Sequence, residues 1–273
     1  MKTLIVSMLA VLVLAAAGMA FAFRGSLRDA VAERMKPELP DAQPYVPPAQ
    51  PADIQPKPEP KPVPTPTPKP APAPTPAPVP PSKPTSKEAN LAVPFTSQAP
   101  KADWSMPYQE ACEEASLLMV NAYLTNAGSF TSDTATAQIL ELVEWEKQHF
   151  GFYEDTNAEE VAEMARERFG FAKSRAVSIT SIDDVKAQID KGLPVILPAA
   201  GRQLYNPNFS GAGPPYHMLV AKGYTKDGFI ITNDPGTRKG ADYLYKADVL
   251  WNAIHDWNGG DVDNGAKKMV IVE

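Results

Sequence analysis

The one cysteine in the chain, Cys112, lies where a turn (Pro107-Tyr-Gln-Glu-Ala) opens into an amphipathic run. A thiol at a helix N-terminus meets unpaired backbone N–H groups and the positive end of the helix dipole, the setting in which thiolates are stabilised. Chemistry at such a thiol needs a base to take its proton and a group to fix the base's tautomer. His217 begins an apolar strand-like run, and Asp234 ends the next one. A turn near residues 225–228 would fold the two runs into a hairpin and set the imidazole beside the carboxylate. From residue types alone, Cys112 is either a nucleophile or a small buried apolar side chain.

These residues must be positioned by elements whose pattern changes along the chain. Apolar spacing predicts helices over 110–126, stopped by Gly128, over 132–149, over 158–169 with Asn157 as cap and Gly170 as stop, and over 182–191 with Ser181 as cap. After Gly192 the pattern turns strand-like, at 193–198, 218–224, 228–233 and 268–272, with Gly, Asp and Pro between the runs. Helices followed by an antiparallel sheet make an α+β domain.

The domain has its own flanks. Residues 4–23 carry no charge and are followed by Arg24 and Arg28, the pattern of an export signal or a membrane anchor. The run is long enough to span a bilayer, yet Ala20-Phe-Ala22 is an acceptable cleavage site, so cleavage and retention both stay open. Residues 24–36 form a juxtamembrane segment, and residues 37–89 hold most of the 30 prolines, several in strict alternation. That composition removes backbone donors and favours extended polyproline II, so a disordered spacer with a reach on the order of 150 Å is expected over 37–89.

Residues 90–273 then form the folded domain, with 25 acidic and 16 basic residues. An acidic domain without a basic cluster argues against nucleic acid as a partner. A single cysteine allows no internal disulfide, no cofactor motif is present, and a monomer is expected. The acidic loop around 256–265 has its glycine in the wrong place for an EF-hand, and no metal site is assigned. His149 and His255 have no comparable context.

The segments Val93-Pro-Phe-Thr-Ser-Gln98, Cys112 at a helix start, Gly192-Leu-Pro-Val195, His217-Met-Leu-Val-Ala-Lys-Gly-Tyr224 and Asn233-Asp-Pro235 together resemble the stand-alone relatives of the bacteriocin-processing cysteine peptidases, within the papain-like clan. The resemblance covers residues 90–273. It implies a papain-like fold and cleavage of peptide or protein substrates through a thioester. Cys112 would be the nucleophile, His217 the general base and acid, Asp234 the orienting residue, and Gln98 the oxyanion donor, with Gln109 as the alternative donor. The chain departs from the family pattern at Glu113 and Glu114, which follow the cysteine where glycine is usual, and in the long interval from Gln98 to Cys112. Two acids there would raise the thiol's pKa unless they point outward. Two rival readings follow: a peptidase-like binding module without turnover, and a thioester-forming transferase or amidase acting on cell-envelope peptides.

Overall fold

The computed structural model describes residues 37–47 and 87–273. The elements below all belong to one compact unit, Asp41–Glu273. The expected signal or anchor at 4–23, the segment 24–36 and most of the proline-rich run lie outside the described residues, and none of the described helices is long and apolar enough to cross a membrane.

The helices form where the apolar spacing requires them. Helix α1 (Cys112–Leu124) buries all but one of its residues, Asn121, so the run that reads as amphipathic in the sequence has its polar Glu113, Glu114 and Ser116 buried as well, because elements pack on it from both sides. It packs on the sheet on one side and on α2 (Ser132–His149) and α3 (Ala158–Phe169) on the other. Thr131 caps α2, and Thr134 returns the bond. Asn157 caps α3, with its Oδ1 accepting from Glu159 N and Glu160 N, and Gly170 closes that helix at φ 74°. At α4 (Ile182–Ile189) the carboxylate of Asp184 accepts from the Ser181 N–H at 3.0 Å. A short α5 (Ala247–Ala253), absent from the sequence reading, lies beside the far end of the sheet.

The sheet has seven strands: β1 (Ala89–Asn90), β2 (Arg175–Ser178), β3 (Val195–Ala200), β4 (Tyr216–Tyr224), β5 (Phe229–Asn233), β6 (Tyr243–Lys246) and β7 (Lys268–Ile271). They run antiparallel in the order β2-β7-β3-β4-β5-β6, and β1 pairs with the last two residues of β4. The domain is therefore α+β, as the pattern predicts. Strand β4 is buried along its whole length, because β3 and β5 flank it and α1 covers it. Its register with β5 slips at a bulge between Ala221 and Gly223. Gly223 is required there, since a Cβ would come 2.5 Å from the carbonyl oxygen of Ala89.

One boundary differs from the sequence reading. The spacer assigned to 37–89 is not wholly free of the domain, because Gln43 pairs with the strand edge at residues 90–92: its N–H donates to Asn90 O at 2.8 Å and its carbonyl accepts from Ala92 N at 2.7 Å. Tyr45 then sets its ring edge-on against Tyr123 of α1, 5.5 Å between centroids. Prolines flank these residues without occupying them, so Gln43 keeps the N–H that a bridge needs and Tyr45 offers a ring to the core.

Candidate functional site

The β4–β5 hairpin carries the base and its partner. His217 is the second residue of β4 and Asp234 follows β5 directly; with Val220 opposite Asn233, the two side chains meet, and His217 Nε2 lies 2.8 Å from Asp234 Oδ1. Both are buried, at 1% and 0% exposure. Asp234 is held by two contacts on each oxygen. Oδ1 takes His217 and the Gly236 N–H at 3.0 Å, while Oδ2 takes Asn206 Nδ2 at 3.0 Å and the Tyr245 hydroxyl at 2.5 Å. Burial alone would raise this carboxyl, yet the imidazole beside it and the donors from His217, Tyr245 and Gly236 keep it below its ordinary range.

The imidazole is wedged as well as bonded. Phe209 meets it edge-on at 5.3 Å between centroids. Gly236 backs it so closely that a Cβ there would sit 2.8 Å from His217 Cε1. With Nε2 engaged by Asp234, the other nitrogen, Nδ1, makes no hydrogen bond within the described residues.

Cys112 opens α1 behind a single 3-10 turn (Tyr108–Glu110). Its sulfur accepts the N–H of Met218, the residue after His217, at 3.4 Å, and its thiol donates to Glu113 Oε2 at 3.0 Å. The fold thus brings the cysteine to the backbone of the strand that carries the histidine. It does not bond thiol to ring, so no ion pair between the proposed nucleophile Cys112 and base His217 is formed in this structure. Burial at 6% exposure opposes a thiolate here and pushes the thiol well above its ordinary pKa; negative charge on Glu113 would push it further, as does the hydrogen bond that Glu113 accepts.

Glu113 and Glu114 point inward. They are 1% and 0% exposed, which removes the alternative in which they merely dress the helix surface. Glu114 faces the carboxyl of Glu146 from α2, Thr156 lies beside Glu146, and no cation neutralises either acid among the described residues. Burial raises all three acids, Glu146 to about 8.

The two glutamines do different work. Gln98 is buried, and its amide N–H groups bind Tyr108 O at 3.0 Å and Gln109 O at 2.8 Å, pinning the turn before Cys112 while its own oxygen stays unpaired. Gln109 is exposed and reaches only Glu110. Neither amide hydrogen-bonds the sulfur. His149 and His255 are placed elsewhere, the first stacked on Trp145 and paired with Glu163, the second bonded to Gly265 O. Asp256 of the acidic loop accepts from Ala158 N and pairs with Lys268.

Asn206, Phe209, Gly236 and Tyr245 escaped the sequence reading. The first two lie in an irregular stretch without periodicity, and Tyr245 sits on a four-residue strand too short to stand out. Gly236 belongs to the Asn-Asp-Pro-Gly run, whose turn signal was visible but whose packing against the imidazole was not.

Residues 90–259 match the Peptidase_C39 like family, more than half of the 273-residue chain. The chain belongs to that family. The matched span runs from β1 past Asp234, and therefore contains Cys112, His217 and both glutamines. Among solved structures, a putative C39-like peptidase from Bacillus anthracis is similar at 15% identity and TM-score 0.46, over 68% of this chain and 98% of that one. A fragment of prointerpain A from Prevotella intermedia is similar at 18% identity and TM-score 0.35, over 56% of this chain and 46% of that one. No curated protein sequence matches.

Proposed function

We propose that this member of the Peptidase_C39 like family is a cysteine peptidase that hydrolyses peptide bonds through Cys112, His217 and Asp234, exported or held at a membrane through residues 4–23. The observation that carries the reading is the buried, four-fold-bonded Asp234 gripping His217 Nε2 while Nδ1 stays unbonded, on the strand whose next amide touches the Cys112 sulfur. An acid this well anchored fixes the imidazole's tautomer.

In this reading a small rotation of the Cys112 side chain away from Glu113 brings its proton to His217 Nδ1. The S–H bond breaks as N–H forms, and the sulfur attacks a peptide carbonyl. Oxyanion charge falls on the Cys112 backbone N–H, which the helix leaves unpaired, and on Gln98 once its amide releases one of its two carbonyls. The imidazolium returns the proton to the leaving amine, and water hydrolyses the thioester.

A second reading, a peptidase-like binding domain without turnover, is favoured by one feature, the buried thiol that donates to an acid instead of to the base. A peptide-library digest with wild type and Cys112→Ala separates the two. Cleavage products from wild type alone support the peptidase; no products from either variant, with both folded, support the binding domain.

A further inference from the structure

We propose that Glu113 works as a neutral carboxylic acid whose O–H donates a hydrogen bond to the Cys112 sulfur and, together with the Met218 N–H, holds the thiolate that forms when His217 takes the thiol proton. The inference rests on the reading of Cys112 as the nucleophile.

Geometry comes first. Glu113 Oε2 and Met218 N approach the same sulfur, at 3.0 and 3.4 Å, from the helix and from β4. The Met218 N–H already donates to this buried sulfur, and the Glu113 carboxyl that now accepts from it is placed to become a second donor once the thiol proton has gone, which is what a thiolate needs where water is scarce. A carboxylate in the first of those places would do the reverse, setting like charges in contact.

The surroundings decide which form Glu113 takes. On its own helix it faces Cys112 and Glu114; Asp155 faces it from the loop between α2 and α3, Glu146 from α2, and Tyr216 from β4. Each of these is a carboxyl, a phenol or a thiol, and none can carry a positive charge. None of the ion pairs among the described residues involves Glu113, Glu114 or Glu146. Glu114 and Glu146 meet carboxyl to carboxyl with no cation between them, so this pocket must retain protons. Burial and the neighbouring Glu114 raise Glu113 accordingly.

The proton inventory balances. In the resting state sulfur and Glu113 each hold one proton, and the thiol donates to Oε2. On activation the S–H proton moves to His217 Nδ1, and the Glu113 O–H, never broken, turns to the negative sulfur.

The test follows thiol alkylation by iodoacetamide between about pH 5 and pH 8, in wild type, Glu113→Gln and Glu113→Leu, with Cys112→Ala as blank and thermal melts to confirm folding. Gln keeps an N–H donor at every pH, so E113Q should alkylate within about threefold of wild type at low pH, while E113L should be slower by roughly 10- to 100-fold, the range for one hydrogen bond to a charged group. E113L matching or exceeding wild type at low pH, or E113Q falling with E113L, would overturn the proposal. Should E113L not fold, Glu113→Ala, which equally lacks a donor, takes its place and must be slower than E113Q by the same roughly 10- to 100-fold. Alkylation does not require peptide cleavage, so a wild type that shows this pattern yet cuts no peptide sinks the peptidase reading and leaves the role of Glu113 standing.

Discussion

Raising the pH from about 5 to about 8 should destabilise this protein, opposite to the trend set by salt-bridged carboxylates. The cause is the Glu113, Glu114 and Glu146 cluster, which the fold buries and leaves without cationic partners. For a carboxyl whose folded pKa lies above its unfolded value, the unfolded chain loses its proton first. Between the two pKa values the native state holds more protons than the unfolded state, so stability falls as pH rises, until the folded group titrates too. Glu146 is pushed from 4.5 to about 8, and its window therefore covers the whole interval. At ~1.4 kcal/mol per pH unit for one fully linked proton, Glu146 alone removes about 4 kcal/mol, a large part of the stability of an ordinary domain. Glu113 and Glu114 act in the same direction. Asp234, held low, has the opposite sign, but its contribution is already complete above the ordinary carboxylate range and is lost only in stronger acid. Urea unfolding midpoints at four pH values across the interval measure the slope, and Glu146→Gln should flatten it. A midpoint that stays level or rises from pH 5 to pH 8 would refute the reasoning.

Substitutions at three positions probe the site directly. Asp234→Ala strips the acceptor from four buried contacts, and at about 1–3 kcal/mol for each unsatisfied donor it should leave little folded protein, whereas Asp234→Asn, which can keep an oxygen toward His217, should fold with a loss of roughly 2 kcal/mol in chemical denaturation. Gly236→Ala places a methyl against His217 Cε1 and should lower kcat/KM for a cleaved peptide by about 10²-fold, the scale of a 1 Å misplacement, with a smaller drop in Tm; unchanged kinetics would show that the ring has room to move. Gln98→Ala should reduce kcat by roughly 10²-fold or more if its amide serves the oxyanion, and should also lower Tm, because it unpins the turn before Cys112; a loss of Tm with kcat intact would confine Gln98 to that structural bond.

Helices α1 to α4 and the runs that form β3, β4, β5 and β7 were legible because their signals are local. Asn157, Gly170 and Ser181 mark helix ends by backbone chemistry that does not depend on the rest of the fold, and the runs at 218–224 and 228–233 are long and apolar enough to declare themselves. The meeting of His217 with Asp234 was legible too, since a hairpin with a turn at 225–228 leaves the two ends little choice. Strands β2 and β6 were not, being four residues long and only partly buried, so that neighbours across the sheet and not their own pattern make them strands. Asn206 and Tyr245 reach Asp234 from irregular chain and from β6, a convergence that exists only in three dimensions. Whether Glu113 and Glu114 face in or out could not be read from α1, because a helix buried on all sides has no polar face to assign them to. The bridge at Gln43 was hidden by its prolines, whose extended preference suits a spacer and a docked strand equally.

The central claim is that Cys112 carries acyl groups. Intact-mass spectrometry of the protein quenched in acid shortly after mixing with activated peptide esters tests it most directly. The account predicts an adduct of acyl mass on Cys112 in wild type, decaying as hydrolysed product appears, and lost in both Cys112→Ala and His217→Ala. Ester turnover that persists in Cys112→Ala, or an acyl group located on any other residue, would contradict it.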